Sequence, residues 1–311
     1  RVWERKNIHC CSSDLVTQIN VLFVHMCLTA VCVCTCYVDE VHRMRLTSKV
    51  FASLAGRLAL VTGSTSGIGL GIAGTLASRG CDVILHGFGD DDVIKQAKAT
   101  VESHKVRCHW EDADLCDVSS IDKMAESISR IFPNTPDILV NNAGFQSVSD
   151  VTQFSLDTWQ KMLTVHLTAP FLLTQRLLPA MVDRGWGRIV NIASVHGLVA
   201  SPYKAAYVSA KHGVIGLTKV VALETAKTGV TCNAVCPGWV ETPIFIQQAE
   251  ARSREQGISY EEGRRQMVSN HATEEPVKVQ DIGELVSFLC SSAANQMTGS
   301  SIVIDGGWTA R

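Results

Sequence analysis

Residues 58–69 read LALVTGSTSGIG. Four apolar residues suited to a buried strand run directly into a turn of Gly, Ser and Thr, and a helical pattern follows from Gly67 onward. Glycines at 63, 67 and 69 let the backbone turn tightly and approach an anion, while the first N–H groups of the helix favour negative charge. A glycine-rich turn by itself is common. The strand, turn and helix together predict the first unit of a parallel sheet, with Gly63, Thr65, Ser66, Gly67, Ile68 and Gly69 around a dinucleotide pyrophosphate. The Gly-x-x-x-Gly-x-Gly spacing differs from the commoner Gly-x-Gly-x-x-Gly.

Outward from this stretch the same rhythm repeats. Short β-branched runs at 58–62, 82–86, 106–110, 138–141, 187–192, 230–235 and 301–304 alternate with amphipathic stretches at 67–79, 90–103, 118–131, 155–184, 205–227 and 280–291. Right-handed crossovers between them predict an α/β fold with a doubly wound, seven-stranded parallel Rossmann-type sheet carrying helices on both faces. No linker or repeat divides 54–311, so one domain is expected there. The chain has 311 residues, 46% of them hydrophobic and 19% charged, with a net charge of −2, which suits a globular protein and gives nucleic acid no basic surface. Twelve cysteines are present, six of them in the first 36 residues and the rest scattered through apolar segments. Such scatter reads as reduced thiols inside a cell and provides no zinc set. Residues 1–53 form an extension of different character. Its 21–38 stretch, VLFVHMCLTAVCVCTCYV, lacks formal charge. It is ranked first as a disordered or extraneous extension, second as a targeting segment and third as a membrane anchor. Cytoplasm or mitochondrial matrix is the expected compartment, with membrane attachment the alternative if 21–38 is a real anchor.

The strand ends collect the remaining motifs at the carboxyl edge, where open α/β sheets bind ligands. The second strand finishes LHGFGDDD, with no Lys or Arg before Lys95. A 2′-phosphate needs a cation there, so NAD is expected over NADP, with Phe88 beside the adenosine and Asp90 late for the ribose. Asp114 and Leu115 after the third strand suit the adenine edge. Asn141, Asn142, Ala143 and Gly144 end the fourth strand, where a ribose passes closely. Pro237, Gly238, Trp239, Val240, Glu241, Thr242 and Pro243 follow the sixth, with Pro237, Gly238, Val240 and Thr242 expected at the cofactor. Within SVHGLVASPYKAAYVSAK (194–211), Tyr207 and Lys211 share a helix face and Ser194 lies thirteen residues upstream. Alone, Tyr-x-x-x-Lys is an ordinary helical pair. Facing a nucleotide crevice, a phenol, an ammonium and a hydroxyl can move an alcohol proton.

Taken together, Thr-Gly-x-x-x-Gly-Ile-Gly, Asn-Asn-Ala-Gly, Ser194, Tyr207-x-x-x-Lys211 and Pro-Gly resemble the short-chain dehydrogenase/reductase family over 54–311. STSGIGLGIA, HGFGD, NIASVHGLVAS, AYVSAKHGV, CPGWVETP and DGGWTAR are similar more narrowly to its bacterial-type D-3-hydroxybutyrate dehydrogenases. The resemblance implies an NAD-dependent oxidoreductase that interconverts D-3-hydroxybutyrate and acetoacetate in ketone body metabolism, and a homotetramer. Tyr207 is then the general acid/base, lowered from about 10 by Lys211 and a nicotinamide. Lys211 also anchors the ribose, and Ser194 bonds the substrate oxygen. Gln146, His196, Lys204 and Gln248 match the positions that hold the small carboxylate substrate, and Trp239 and Trp308 suit its apolar wall. His166 fills the slot in which the family carries Asn, so a titrating imidazole is expected to make turnover more pH-dependent. Residues 241–280, charged and partly helical, read as a mobile substrate lid. Two alternatives accompany this reading: a 3-oxoacyl-thioester (acyl carrier protein) reductase of the same family, and a non-catalytic nucleotide-sensing scaffold.

Overall fold

The computed structural model describes residues 53–310. Expectations for the preceding segment, the 21–38 anchor among them, lie outside the described residues. Among the described residues the strands are β1 (Leu58–Val61), β2 (Asp82–His86), β3 (Cys108–Glu111), β4 (Ile138–Asn141), β5 (Gly187–Ile192), β6 (Val230–Pro237) and β7 (Ser301–Ile304). All pair in parallel, in the order β3-β2-β1-β4-β5-β6-β7. The order reverses between β1 and β4, and this switch point opens a crevice at their carboxyl ends.

Every residue of β1, β4, β5 and β6 is buried, as a sheet covered on both faces requires, with Arg188, Asn191, Thr231 and Asn233 as buried polar members, whereas the edge strands β3 and β7 stay half-exposed. Helices α1 (Gly67–Ser78), α2 (Asp91–Glu102) and α9 (Val279–Cys290) cover one face. Ile72, Leu76, Val101, Ile282, Val286 and Leu289 form the core there. Helices α3 (Val118–Ile131), α5 (Ala169–Asp183) and α6 (Ala205–Thr225) cover the other with Ile121, Met124, Leu173, Leu177, Met181 and Val221. Helix α4 (Leu156–Leu163) precedes α5, and α7 (Pro243–Gln256) and α8 (Tyr260–Met267) lie between β6 and α9. Asp90, Asp117, Ser155, Thr242 and Ser259 each accept a hydrogen bond from a first-turn N–H, which fixes five helix starts.

Two expectations shift. Strand β3 begins at Cys108 rather than Val106, because the Arg107 N–H is taken by Asp82 Oδ1 at 2.8 Å and the chain turns at Lys105 with φ 62°. The helix expected over 155–184 is interrupted by a π-helical turn at Thr164–Thr168, which carries His166. No helix among the described residues is long and apolar enough to cross a membrane. The six described cysteines are free thiols, and no His/Cys/Asp/Glu cluster among the described residues is suited to a metal.

Candidate active site

The crevice is a cavity of about 770 Å³. Gly63, Thr65, Ser66, Gly67 and Ile68 line its floor beside His86, Gly87 and Phe88, with Asp114, Leu115 and Cys116 at one end. Ala143, Gly144, Gln146, Val165 and His166 continue it to Ser194, Tyr207 and Lys211, and Pro237, Gly238, Val240, Thr242 and Gln248 close the other side. The phosphate and catalytic motifs thus face one space.

Close packing explains the glycines. A Cβ on Gly63 would stand 2.7 Å from Ala143 Cα, so this left-handed residue (φ 62°) sits against the β4 loop. A Cβ on Gly69 would meet the Gly63 carbonyl at 2.1 Å, so that residue works through contact rather than as cavity wall. Ser66 caps α1 without a side-chain bond, so the helix start that lines the cavity with Ser66, Gly67 and Ile68 is not taken by its own cap. A glycine cradle with a free helix start fits a pyrophosphate.

His86, which the sequence reading did not single out, ties the two nucleotide loops together. Its Nδ1 accepts from the Gly63 N–H at 3.2 Å, and its Nε2 donates to the Ala113 carbonyl at 2.9 Å. Burial lowers its pKa, so the neutral ring serves as acceptor on one side and donor on the other. The available signal was a histidine ending the strand next to the glycine loop. Thr65 Oγ1 donates to the Phe88 carbonyl at 2.8 Å, which locks the end of β2. Asp90 is engaged as the α2 cap, and Asp114 Oδ1 accepts from Cys116 N at 2.8 Å.

The asparagines divide their tasks differently from expectation. Asn141, expected at the cofactor, is buried, and its amide donates to Asn191 Oδ1 at 2.8 Å in the core. Asn142 takes the cavity side, and its Nδ2 donates at 2.9 Å to the carbonyls of both Thr62 and Gly63. An alternating strand can present only one of two successive side chains to the crevice.

Lys211 Nζ donates to the Ile192 carbonyl at 2.7 Å and lies 5.5 Å from the centroid of the Tyr207 ring. Burial lowers the lysine to about 8. Burial raises Tyr207 above its ordinary value, and the hydrogen bond from Ser194 opposes that rise. With its ammonium committed to that carbonyl, Lys211 does not by itself offset the burial of the phenol; the expected lowering joined it with a nicotinamide.

His166 also departs from expectation. Its Nε2 lies 2.7 Å from the Phe145 carbonyl and 3.1 Å from the Phe145 N–H, and its ring meets Tyr207 edge-on at 5.3 Å. Burial, then Lys211, lowers it to about 3. The ring consequently stays neutral across the physiological range, and the expected imidazole titration does not occur.

Of the expected carboxylate group, Gln146 and Gln248 line the cavity, while His196, Lys204, Trp239 and Trp308 form an adjoining cluster behind Tyr207. Lys204 Nζ donates to His196 Nε2 at 3.2 Å and lies 5.6 Å from the Trp239 ring centroid. Trp308 packs edge-on against His196 at 5.4 Å. Burial, then Lys204, lowers His196 to about 4, and burial lowers Lys204, with no acidic neighbour among the described residues to oppose it.

The sheet order, the glycine loop and the Ser-Tyr-Lys set define a nucleotide-dependent oxidoreductase of Rossmann type, and the chain belongs to the short-chain dehydrogenase/reductase family. A family model described as enoyl-(acyl carrier protein) reductase matches residues 63–309. Among curated proteins, the D-beta-hydroxybutyrate dehydrogenase of Cupriavidus necator is 46% identical, covering 83% of this chain and 100% of its own length. A protein of the same name from Rhizobium meliloti is 43% identical over 82% of this chain and 99% of its own. Among solved structures, L-sorbose reductase from Gluconobacter frateurii, complexed with NADPH and L-sorbose, superposes with a TM-score of 0.80 at 27% identity, covering 84% of this chain and 99% of that one. The crevice accordingly binds a nicotinamide dinucleotide.

Proposed function

We propose that this protein is an NAD-dependent dehydrogenase interconverting D-3-hydroxybutyrate and acetoacetate. The observation that carries the reading is the Lys204 ammonium, bonded to His196 beside Tyr207 and offset by no acidic group among the described residues. A half-buried cation linked through His196 to the Tyr207 ring calls for an anionic substrate. Gln146 and Gln248 add donors from the cavity wall, and Trp239 and Trp308 supply apolar surface for the methyl end. The names of the two bacterial relatives support the same substrate.

Bound nicotinamide supplies the hydride acceptor or donor. Ser194 and Tyr207 hold the substrate oxygen, and Tyr207 takes the hydroxyl proton on oxidation and returns it on reduction. Lys211 orients the ribose and carries positive charge at neutral pH, being lowered only to about 8. NAD is favoured because the wall formed by His86, Gly87 and Phe88 carries no Lys or Arg to receive a 2′-phosphate. Self-association into a homotetramer is supported by Phe171, Val220 and Leu223, apolar residues 45%, 52% and 79% exposed on α5 and α6. The purified protein should reduce NAD with D-3-hydroxybutyrate and leave the L-isomer untouched. Faster NADPH-driven reduction of an acetoacetyl thioester would replace this reading with the thioester reductase one.

A further inference from the structure

Residues 239–241 and 275–277, which enter and leave the segment carrying α7 and α8, run side by side. Val277 N donates to the Trp239 carbonyl at 2.8 Å, Glu241 N donates to the Val277 carbonyl at 2.9 Å, and Val240 bridges Val277 in parallel. One buried side chain spans this junction. His271, 1% exposed, accepts the Trp239 N–H on Nε2 at 2.9 Å, so Nδ1 carries the proton and donates to the Glu275 carbonyl at 2.8 Å.

The ring also touches the two turns that border the substrate side. A Cβ on Gly238 would stand 2.5 Å from His271 Nε2, and one on Gly306 would stand 2.7 Å from Nδ1. Neither turn could bear a side chain there, so the imidazole fills the space between them. Its other neighbour is Trp308, with ring centroids 6.0 Å apart, and Trp308 in turn packs against His196. The contacts thus run from the base of the segment through two rings to the His196–Lys204 pair.

We propose that His271 is a positioning residue, one that fixes Gly238–Trp239 against the base of the α7–α8 segment and holds Trp308 against His196, setting the substrate side of the crevice. The inference rests on the reading that the His196–Lys204 side receives the substrate. Among the described residues near the ring, Gly238 also lines the cofactor crevice, whereas no hydrogen bond or ring contact joins the 63–69 loop to it, so an effect that spares a ligand held at that loop separates positioning from general loosening. The role requires a neutral ring that both accepts and donates, and burial favours that form.

The test compares His271→Ala with His271→Gln, whose amide also accepts and donates. For Ala, the KM for D-3-hydroxybutyrate should rise by about tenfold or more, with the dissociation constant of ADP, which reaches the glycine loop but not Gly238, within about threefold of wild type. Gln should recover most of that loss. A second readout needs no substrate: limited trypsin cleavage at Arg254 and Arg265, both exposed, should accelerate in Ala and return towards wild type in Gln. Unchanged substrate KM and cleavage in Ala, a parallel rise of the substrate KM and the ADP dissociation constant, or a Gln variant no better than Ala would each overturn the proposal. If the wild-type protein fails to oxidise 3-hydroxybutyrate, the functional reading falls, while the cleavage comparison still decides the role of His271.

Discussion

A half-buried phenol is a poor base, and Tyr207 shows how Ser194 and Lys211 are placed around it. Burial raises its pKa, Ser194 offers the one opposing hydrogen bond, and Lys211 stands off, its Nζ bound to a backbone carbonyl. Replacing Tyr207 with Phe removes the hydroxyl proposed to exchange the substrate proton and keeps the ring. Turnover should fall by about 10²–10⁴, while NAD affinity, measured by fluorescence titration, stays near wild type. Retention of most of the activity would remove Tyr207 from its role. His166 makes a different prediction. Since it is lowered to about 3, His166→Asn should change the rate without moving any pH midpoint between about 5 and 9. A midpoint near 6 that vanishes in the variant would show that the ring titrates after all. The sequence marked His166 as a departure, but its ionisation depended on the depth of burial and on Lys211, neither of which a motif encodes.

Elements, more than single residues, decide what reaches the crevice. The π-helical turn at Thr164–Thr168 sets His166 against Gly144, where an added Cβ would lie 2.1 Å from His166 Cε1. Gly144→Ala should therefore force the ring or the β4 loop aside, destabilising the protein by ~1–3 kcal/mol and weakening NAD binding. Urea unfolding beside a cofactor titration checks both, and a variant as stable and tight-binding as wild type would mean that the contact relaxes freely. The strands and helices were legible because buried parallel strands and amphipathic crossovers leave different periodicities in the chain. The π-helical turn left no such mark, since one inserted residue barely alters an amphipathic pattern. The start of β3 was missed for a related reason: Asp82, distant in sequence, takes the Arg107 N–H.

At the level of the whole molecule, several histidines are buried in neutral form. His166 and His196 are lowered to about 3 and about 4 from 6.5, and His86 and His271 are also lowered. Between those values and 6.5 the unfolded chain binds protons that the folded one does not, so stability falls as pH drops. The slope is at most ~1.4 kcal/mol per pH unit for each histidine. Melting temperature should be lower at about pH 5 than at about pH 7. An equal or higher value at the acid end would mean that these rings are not held neutral. The site itself was legible as far as its motifs carried chemistry, in Ser194, Tyr207, Lys211 and the glycine loop. His86 and His271 were not, because each works by joining loops that only the sheet order brings together. That same edge places the Lys204 ammonium against His196, whose ring packs against Tyr207.

The most direct measurement is the preference for acetoacetate over its uncharged methyl ester, taken as a ratio of kcat/KM in wild type and in Lys204→Ala. A charge-assisted contact of about 1.5–3 kcal/mol predicts that the wild-type preference for the anion shrinks by roughly 10–100-fold in the variant. A ratio unchanged by the substitution would contradict the carboxylate site, and with it the assignment of this chain to 3-hydroxybutyrate.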